Sequence, residues 1–235
     1  MRPLLRLLIV IAVPVILIVG AVRILTGPWF PAWEYRRSAF PDDPYGLERE
    51  ERLRLAKASI AFLNLPRDLD RLRVLRLPDG ERAYDERELS HMDDVKRVYD
   101  RITWGALVAL VVALACGWVL YRQAGGAAMW GALSDGGLVT LMLLFTLGLW
   151  MLLSWEDFFT ALHRVFFEGE SWVFAYSDTL IRLFPMRFWQ DAGIYVTTLV
   201  AGSAFLLALV GRMMSRRLLR EKAVPAPAPA PAPDL

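Results

Sequence analysis

Four long apolar runs constrain this chain more than any other feature. Leu4 to Leu25 is interrupted only by Arg6, Pro14 and Arg23. Thr103 to Tyr121 and Gly136 to Trp155 carry no charge, and Ala192 to Gly211 is the fourth run. Each has roughly 20 residues, which at about 1.5 Å per residue crosses a hydrocarbon core of about 30 Å. Trp29, Trp33, Trp104, Trp118, Trp130, Trp155, Trp189 and Tyr195 flank the runs, at the headgroup level that indoles favour. A chain that is 56% hydrophobic, with a mean hydropathy of +0.36, is also too apolar for an ordinary soluble domain. The sequence therefore predicts an all-α membrane protein, a four-transmembrane-helix bundle. Its spans run over about 4–25, 103–121, 136–155 and 192–211 within a membrane domain of residues 1–221.

Orientation follows from the short basic flanks. Arg212, Arg216, Arg217, Arg220 and Lys222 follow the last span, and Arg2 and Arg6 precede or open the first. Both termini read as cytoplasmic under the positive-inside rule. The 122–135 loop is then cytoplasmic too, and loops 26–102 and 156–191 face outward. The first run exceeds a signal-peptide core and lacks a small-residue cleavage site, so it reads as an uncleaved anchor. Cys116 is the only cysteine and lies within a span, which excludes an internal disulfide and cysteine-based metal motifs. Ala and Pro alternate through most of Ala223 to Pro233, and residues 222–235 read as a disordered, extended cytoplasmic tail.

The first outer loop is long enough for a small mixed domain. Leu53, Ala56, Ile60 and Leu63 have the spacing of an amphipathic helix, closed by Asn64-Leu65-Pro66. Pro78-Asp79-Gly80 sits between two short runs as a hairpin turn would. Asp85 stands three residues before Glu88, the spacing of a capping box, and a helix from Glu86 can run unbroken into the second span. Glu88, His91 and Asp94 share one face of it, so either carboxylate is spaced to orient the imidazole.

The second outer loop is dense in aromatics: Phe158, Phe159, Phe166, Phe167, Trp172, Phe174, Tyr176, Phe184, Phe188 and Trp189. Such a loop suits an interfacial cap over the bundle better than open water. His163 lies among them, followed by Arg164. The chain has two histidines, and both fall in outer loops. With a continuous pre-span helix His91 lies about 16 Å beyond Ile102, and with a straight third helix His163 lies about 12 Å beyond Trp155. Imidazole takes and returns protons near neutral pH, so two at one level can form a proton-transfer site.

No zinc-binding His-Glu-x-x-His helix, nucleophile elbow, phosphate loop or dinucleotide fingerprint occurs. Spans two to four lack midplane charges, which disfavours proton-coupled transport. A net charge of +2 gives no reason to expect nucleic acid.

Two stretches, Arg87-Glu88-Leu89-Ser90-His91-Met92-Asp93-Asp94-Val95-Lys96 and His163-Arg164-Val165-Phe166-Phe167 through Trp172, Asp178 and Leu183-Phe184-Pro185, resemble a four-span bacterial membrane family that includes the lipoprotein intramolecular transacylases. The resemblance implies an acyltransferase of the bacterial cytoplasmic membrane acting on diacylglyceryl-modified lipoproteins. It would move the sn-2 acyl chain to the α-amine of the same cysteine, leaving a lyso-form N-acyl lipoprotein. It maps the essential histidines onto His91 and His163. Glu88, Asp94 and Arg164 are then expected to support or orient them, and Phe166, Phe167, Trp172, Phe188 and Trp189 to hold substrate, with membrane lipid around them and no cofactor or metal. Two alternatives remain open at this point. One is a metal-dependent membrane hydrolase using the histidines with Asp94 or Glu88; the other is a non-enzymatic scaffold or sensor.

Overall fold

A computed structural model describes residues 1–223; the Pro/Ala spacer from residue 224 onward lies outside the described residues. In chain order the helices are α1 (Arg2–Leu25), α2 (Trp29–Glu34), α3 (Arg49–Asn64), α4 (Asp70–Arg73), α5 (Glu86–Ala124), α6 (Gly126–Leu153), α7 (Trp155–Phe166), α8 (Thr179–Leu183) and α9 (Met186–Ala223). Four of them, α1, α5, α6 and α9, are long and apolar enough to cross a membrane.

The expected loop at 122–135 is absent. Gly125 alone joins α5 to α6, at φ 83°, a left-handed conformation that a residue with a Cβ rarely adopts. The segment after it is rich in small residues, and helix–helix packing carries it as the first turns of α6. Small residues bring α6 and α9 together in the membrane. A Cβ on Gly137 would lie 2.6 Å from the Ala204 carbonyl, and one on Gly211 would lie 2.8 Å from that of Trp130. Ser134 Oγ donates to the Ala208 carbonyl at 2.9 Å, and Ser215 Oγ to that of Ala127 at 2.8 Å. In lipid, close backbone approach and interhelical hydrogen bonds replace the hydrophobic drive that packs soluble bundles. Cys116 packs beside Ile9, Val13, Leu120 and Ala132.

The helix expected over 47–63 is α3, and it buries Ala56, Ile60 and Leu63. The turn at Pro78-Asp79-Gly80 forms, but its hairpin shrinks to one isolated bridge between Arg76 and Arg82. The Leu77 and Ala83 amides donate to Glu81 and Leu75 across it. The head region between α1 and α5 is therefore helical with a reversed loop, because three or more strands are needed for a stable sheet.

One apolar core unites both long connections. Phe30, Leu55, Phe62, Leu72, Leu89, Leu183 and Phe188 belong to it. Arg52 is 2% exposed at its centre and has no carboxylate partner among the described residues. Its guanidinium donates to the Arg182 carbonyl at 3.0 and 2.6 Å and to the Pro41 carbonyl at 2.9 Å, beneath the rings of Tyr35 and Phe40. Tyr35 Oη donates to the Leu183 carbonyl at 2.7 Å. These bonds tie the segment before α9 to the head region, at the end of the bundle opposite the chain termini.

Candidate active site

His91 is brought to the site by the rigid first turns of α5. Asp85 caps that helix: its Oδ1 accepts the Glu88 amide at 2.7 Å, and Glu88 Oε2 accepts the Asp85 amide at 2.9 Å. The expected capping box is thus complete, and α5 runs unbroken from it into the span. His163 arrives differently. The third membrane helix stops at Leu153, Ser154 is extended (φ −153°, ψ 91°), and α7 starts anew at Trp155. The straight-helix height for His163 does not apply. At the far end of α7, Gly169 at φ 61° follows extended Phe167 and helps reverse the chain, which returns Trp172 to His163.

The two imidazoles contact one phenyl ring. Phe167 lies 5.0 Å from the His91 ring and 5.7 Å from the His163 ring, centroid to centroid. Phe174 lies 5.3 Å from His91, while Phe159 and Trp172 lie 4.0 and 4.9 Å from His163. The result is an aromatic box with both histidines in its wall. His163 Nδ1 is 2.8 Å from the Phe159 carbonyl, an acceptor only, so Nδ1 carries the proton and Nε2 presents the lone pair. His91 Nδ1 and Trp172 Nε1 are buried and have no hydrogen-bond partner among the described residues.

The supporting residues expected from spacing are placed elsewhere. Glu88 Oε1 accepts the Leu180 amide at 2.7 Å, so both of its oxygens serve backbone donors and neither reaches His91. Asp94 pairs with Arg97 on its own helix. Arg164 is exposed, because the residue after His163 is rotated about 100° around the helix. Among the aromatics, Phe167 and Trp172 line the box. Phe166 is 44% exposed, on the outer surface. Phe188 belongs to the core, 5.1 Å from both Phe30 and Phe184. Trp189 touches the edge of the box through Phe159 at 6.2 Å. Sequence reasoning counted Phe159 and Phe174 only as part of an interfacial cap, and missed Arg87. One turn before His91, Arg87 bonds Asp178 at 2.7 Å and lies 5.2 Å from the Phe174 centroid. The i, i+4 spacing from Arg87 to His91 was the available signal. No group of three metal-ligating side chains comes together among the described residues.

Burial sets the proton affinity of the site. It pushes the His91 imidazole down to about 4, with a smaller push from the charge of His163. It also lowers His163, partly offset by the bond to the Phe159 carbonyl. Both rings are neutral at pH 7. Unfolded histidine takes up its proton near pH 6.5, before folded His91 does, so stability from the neutral ring is present above that value and is lost as pH falls toward 4. Thermal stability in detergent should fall through this window, and less steeply in a His91→Phe variant. Identical slopes would remove His91 burial as the cause.

Comparison with known proteins identifies the fold and the family. The profile of the family described as lipoprotein intramolecular transacylase Lit matches residues 7–189. An uncharacterised protein of Aquifex aeolicus (strain VF5) is 35% identical over 222 residues, covering 94% of this chain and 99% of the relative. The in meso structure of the membrane-integral lipoprotein intramolecular transacylase Lit from Bacillus cereus superposes with a TM-score of 0.77 at 21% identity, covering 95% of this chain and 98% of that one. A histidine-to-alanine variant of that protein superposes at 0.74 with 20% identity, covering 94% and 96%. The profile match over most of the chain, and a relative spanned almost end to end, lead to one assignment: the chain belongs to the lipoprotein intramolecular transacylase family, Lit, a family of membrane acyltransferases.

Proposed function

We propose that this protein moves the sn-2 acyl chain of a diacylglyceryl-modified lipoprotein cysteine onto that cysteine's own α-amine. The observation that carries this reading is the pair of imidazoles set against one phenyl ring in an apolar box. In the reaction the amine nitrogen bonds the ester carbonyl carbon, the carbon–oxygen bond to glycerol breaks, and one proton passes from nitrogen to the glycerol oxygen. Atoms balance without a covalent acyl-enzyme. His163, with its proton fixed on Nδ1, offers Nε2 to the amine proton. Neutral His91 completes the relay to the departing oxygen. Nucleophile and ester belong to one molecule, so holding them together supplies much of the acceleration. Phe159, Phe167 and Phe174 keep water from the reacting carbon, which limits loss of the chain as free fatty acid.

The site faces the extracytoplasmic side in this reading. The basic residues of the last turns of α9, Arg212 to Lys222, lie at the same end as Arg2, whose guanidinium donates to the Gln123 carbonyl at the α5–α6 joint. That end is the cytoplasmic one by its charge.

Mass spectrometry of lipoprotein N-termini from cells with and without the protein tests the proposal. The expected product carries an amide-linked acyl chain and a free glycerol hydroxyl. With purified protein, a heavy-acyl lipoprotein mixed with an unlabelled one should keep its label, and activity should survive chelators. Label crossing between molecules, release of free fatty acid as the product, or chelator-sensitive activity would overturn it.

A further inference from the structure

Trp172 has no assigned role in the proton relay, yet its indole N–H is buried against the box and finds no acceptor among the described residues. Nearly all buried donors are paired, so one left over beside a reactive ring calls for a functional explanation. Its ring centroid lies 4.9 Å from that of His163, at 35°. The indole is also held in place. The Phe167 amide donates to the His163 carbonyl at 2.8 Å, and the Val173 amide donates to Glu170 at 3.0 Å. Asp178, at the far end of the segment, accepts the Ala175 amide at 2.9 Å and the Arg87 guanidinium at 2.7 Å.

Indole Nε1–H is a donor only and neither ionises nor takes up a proton near neutral pH. It therefore cannot act as the base or the acid. What a fixed neutral donor can do is favour negative charge that develops next to it. We infer that Trp172 Nε1–H donates to the carbonyl oxygen of the migrating acyl group. As the amine nitrogen bonds the carbonyl carbon, the carbonyl electron pair moves onto that oxygen, where the indole N–H stabilises it. The pair then returns, the bond to glycerol oxygen breaks, and that oxygen takes the proton given up by the amine. Arg164 is exposed and does not compete for this role.

The inference rests on the transacylase reading, and the test separates the two. Full-length protein in detergent is assayed on a synthetic diacylglyceryl lipopeptide, following amide product by mass spectrometry. Four forms are compared: wild type, His163→Ala, Trp172→Phe, and Trp172 replaced by benzothienylalanine, which keeps the ring shape but has sulfur in place of N–H. The expected result is a fall in kcat of about 10²-fold for both Trp172 replacements. KM and the acid limb of the pH profile should be unchanged, and His163→Ala should be inactive. Full activity with benzothienylalanine would assign Trp172 a shape role and overturn the inference, even if Trp172→Phe is inactive or fails to fold. A loss expressed in KM alone would overturn it too. Wild-type activity in His163→Ala would instead overturn the transacylase mechanism itself.

Discussion

Alanine at His91 or at His163 should each reduce amide formation by about 10³-fold or more, and the double replacement should be hardly worse than either single one. General acid–base groups contribute about 10²–10⁴-fold each. Groups that act as one unit show losses that do not add. The shared contact with Phe167 gives the physical ground for treating the pair as a unit. Neither ring makes a hydrogen bond that holds two elements together. The His163 bond is to its own helix, and His91 Nδ1 has no partner among the described residues. The variants should therefore insert and melt like the wild type. Steady-state kinetics of the two single variants and the double variant check this, with melting curves as the control for folding. Fully multiplicative losses would separate the histidines into independent roles.

The second large effect is expected at Glu88. Alanine there leaves the Asp85 and Leu180 amides without their acceptor in a buried setting, at a cost of about 1–3 kcal/mol for each. It also frees α8 from α5, and with it the anchor of the segment that carries Trp172 and Phe174. Activity should drop at least tenfold and the melting temperature should fall. Burial raises the Glu88 carboxyl pKa against the pull of its backbone donors. Glu88→Gln keeps one acceptor oxygen but turns an amide N–H toward the other backbone donor, so it should cost less than truncation without being neutral. Activity against pH in Glu88→Gln identifies the role. A positioning residue leaves the acid limb where it was, whereas a residue that orients His91 directly moves it.

Glu88 also shows where pattern reading stops. Its spacing from Asp85 identified a capping box, and the box formed because that pairing is local, within four residues of one helix. The same logic suggested a bond to His91 three residues on, and the structure gives the second oxygen to Leu180 instead, 92 residues away. An i, i+3 spacing shows that two side chains share a face; it does not show which distant donor reaches them first. Phe188 makes the same point. Composition grouped it with the box aromatics, and packing against Phe30 and Phe184 put it in the core.

The sequence by itself determined the four membrane helices, the unbroken run of α5, the helix at α3 and the family, because each rests on information local in the chain. A span needs only length and apolarity, and a cap needs only neighbours. Tertiary structure decided the rest. Ser154 broke the third helix from α7, Gly125 reduced a fourteen-residue loop to a joint, and Phe167 came into contact with two histidines 72 positions apart. Those outcomes depend on which surfaces meet when two connections pack over one end of a bundle. That is settled by burial of Arg52, Leu183 and Phe188 in one common core, which no single stretch of the chain encodes alone.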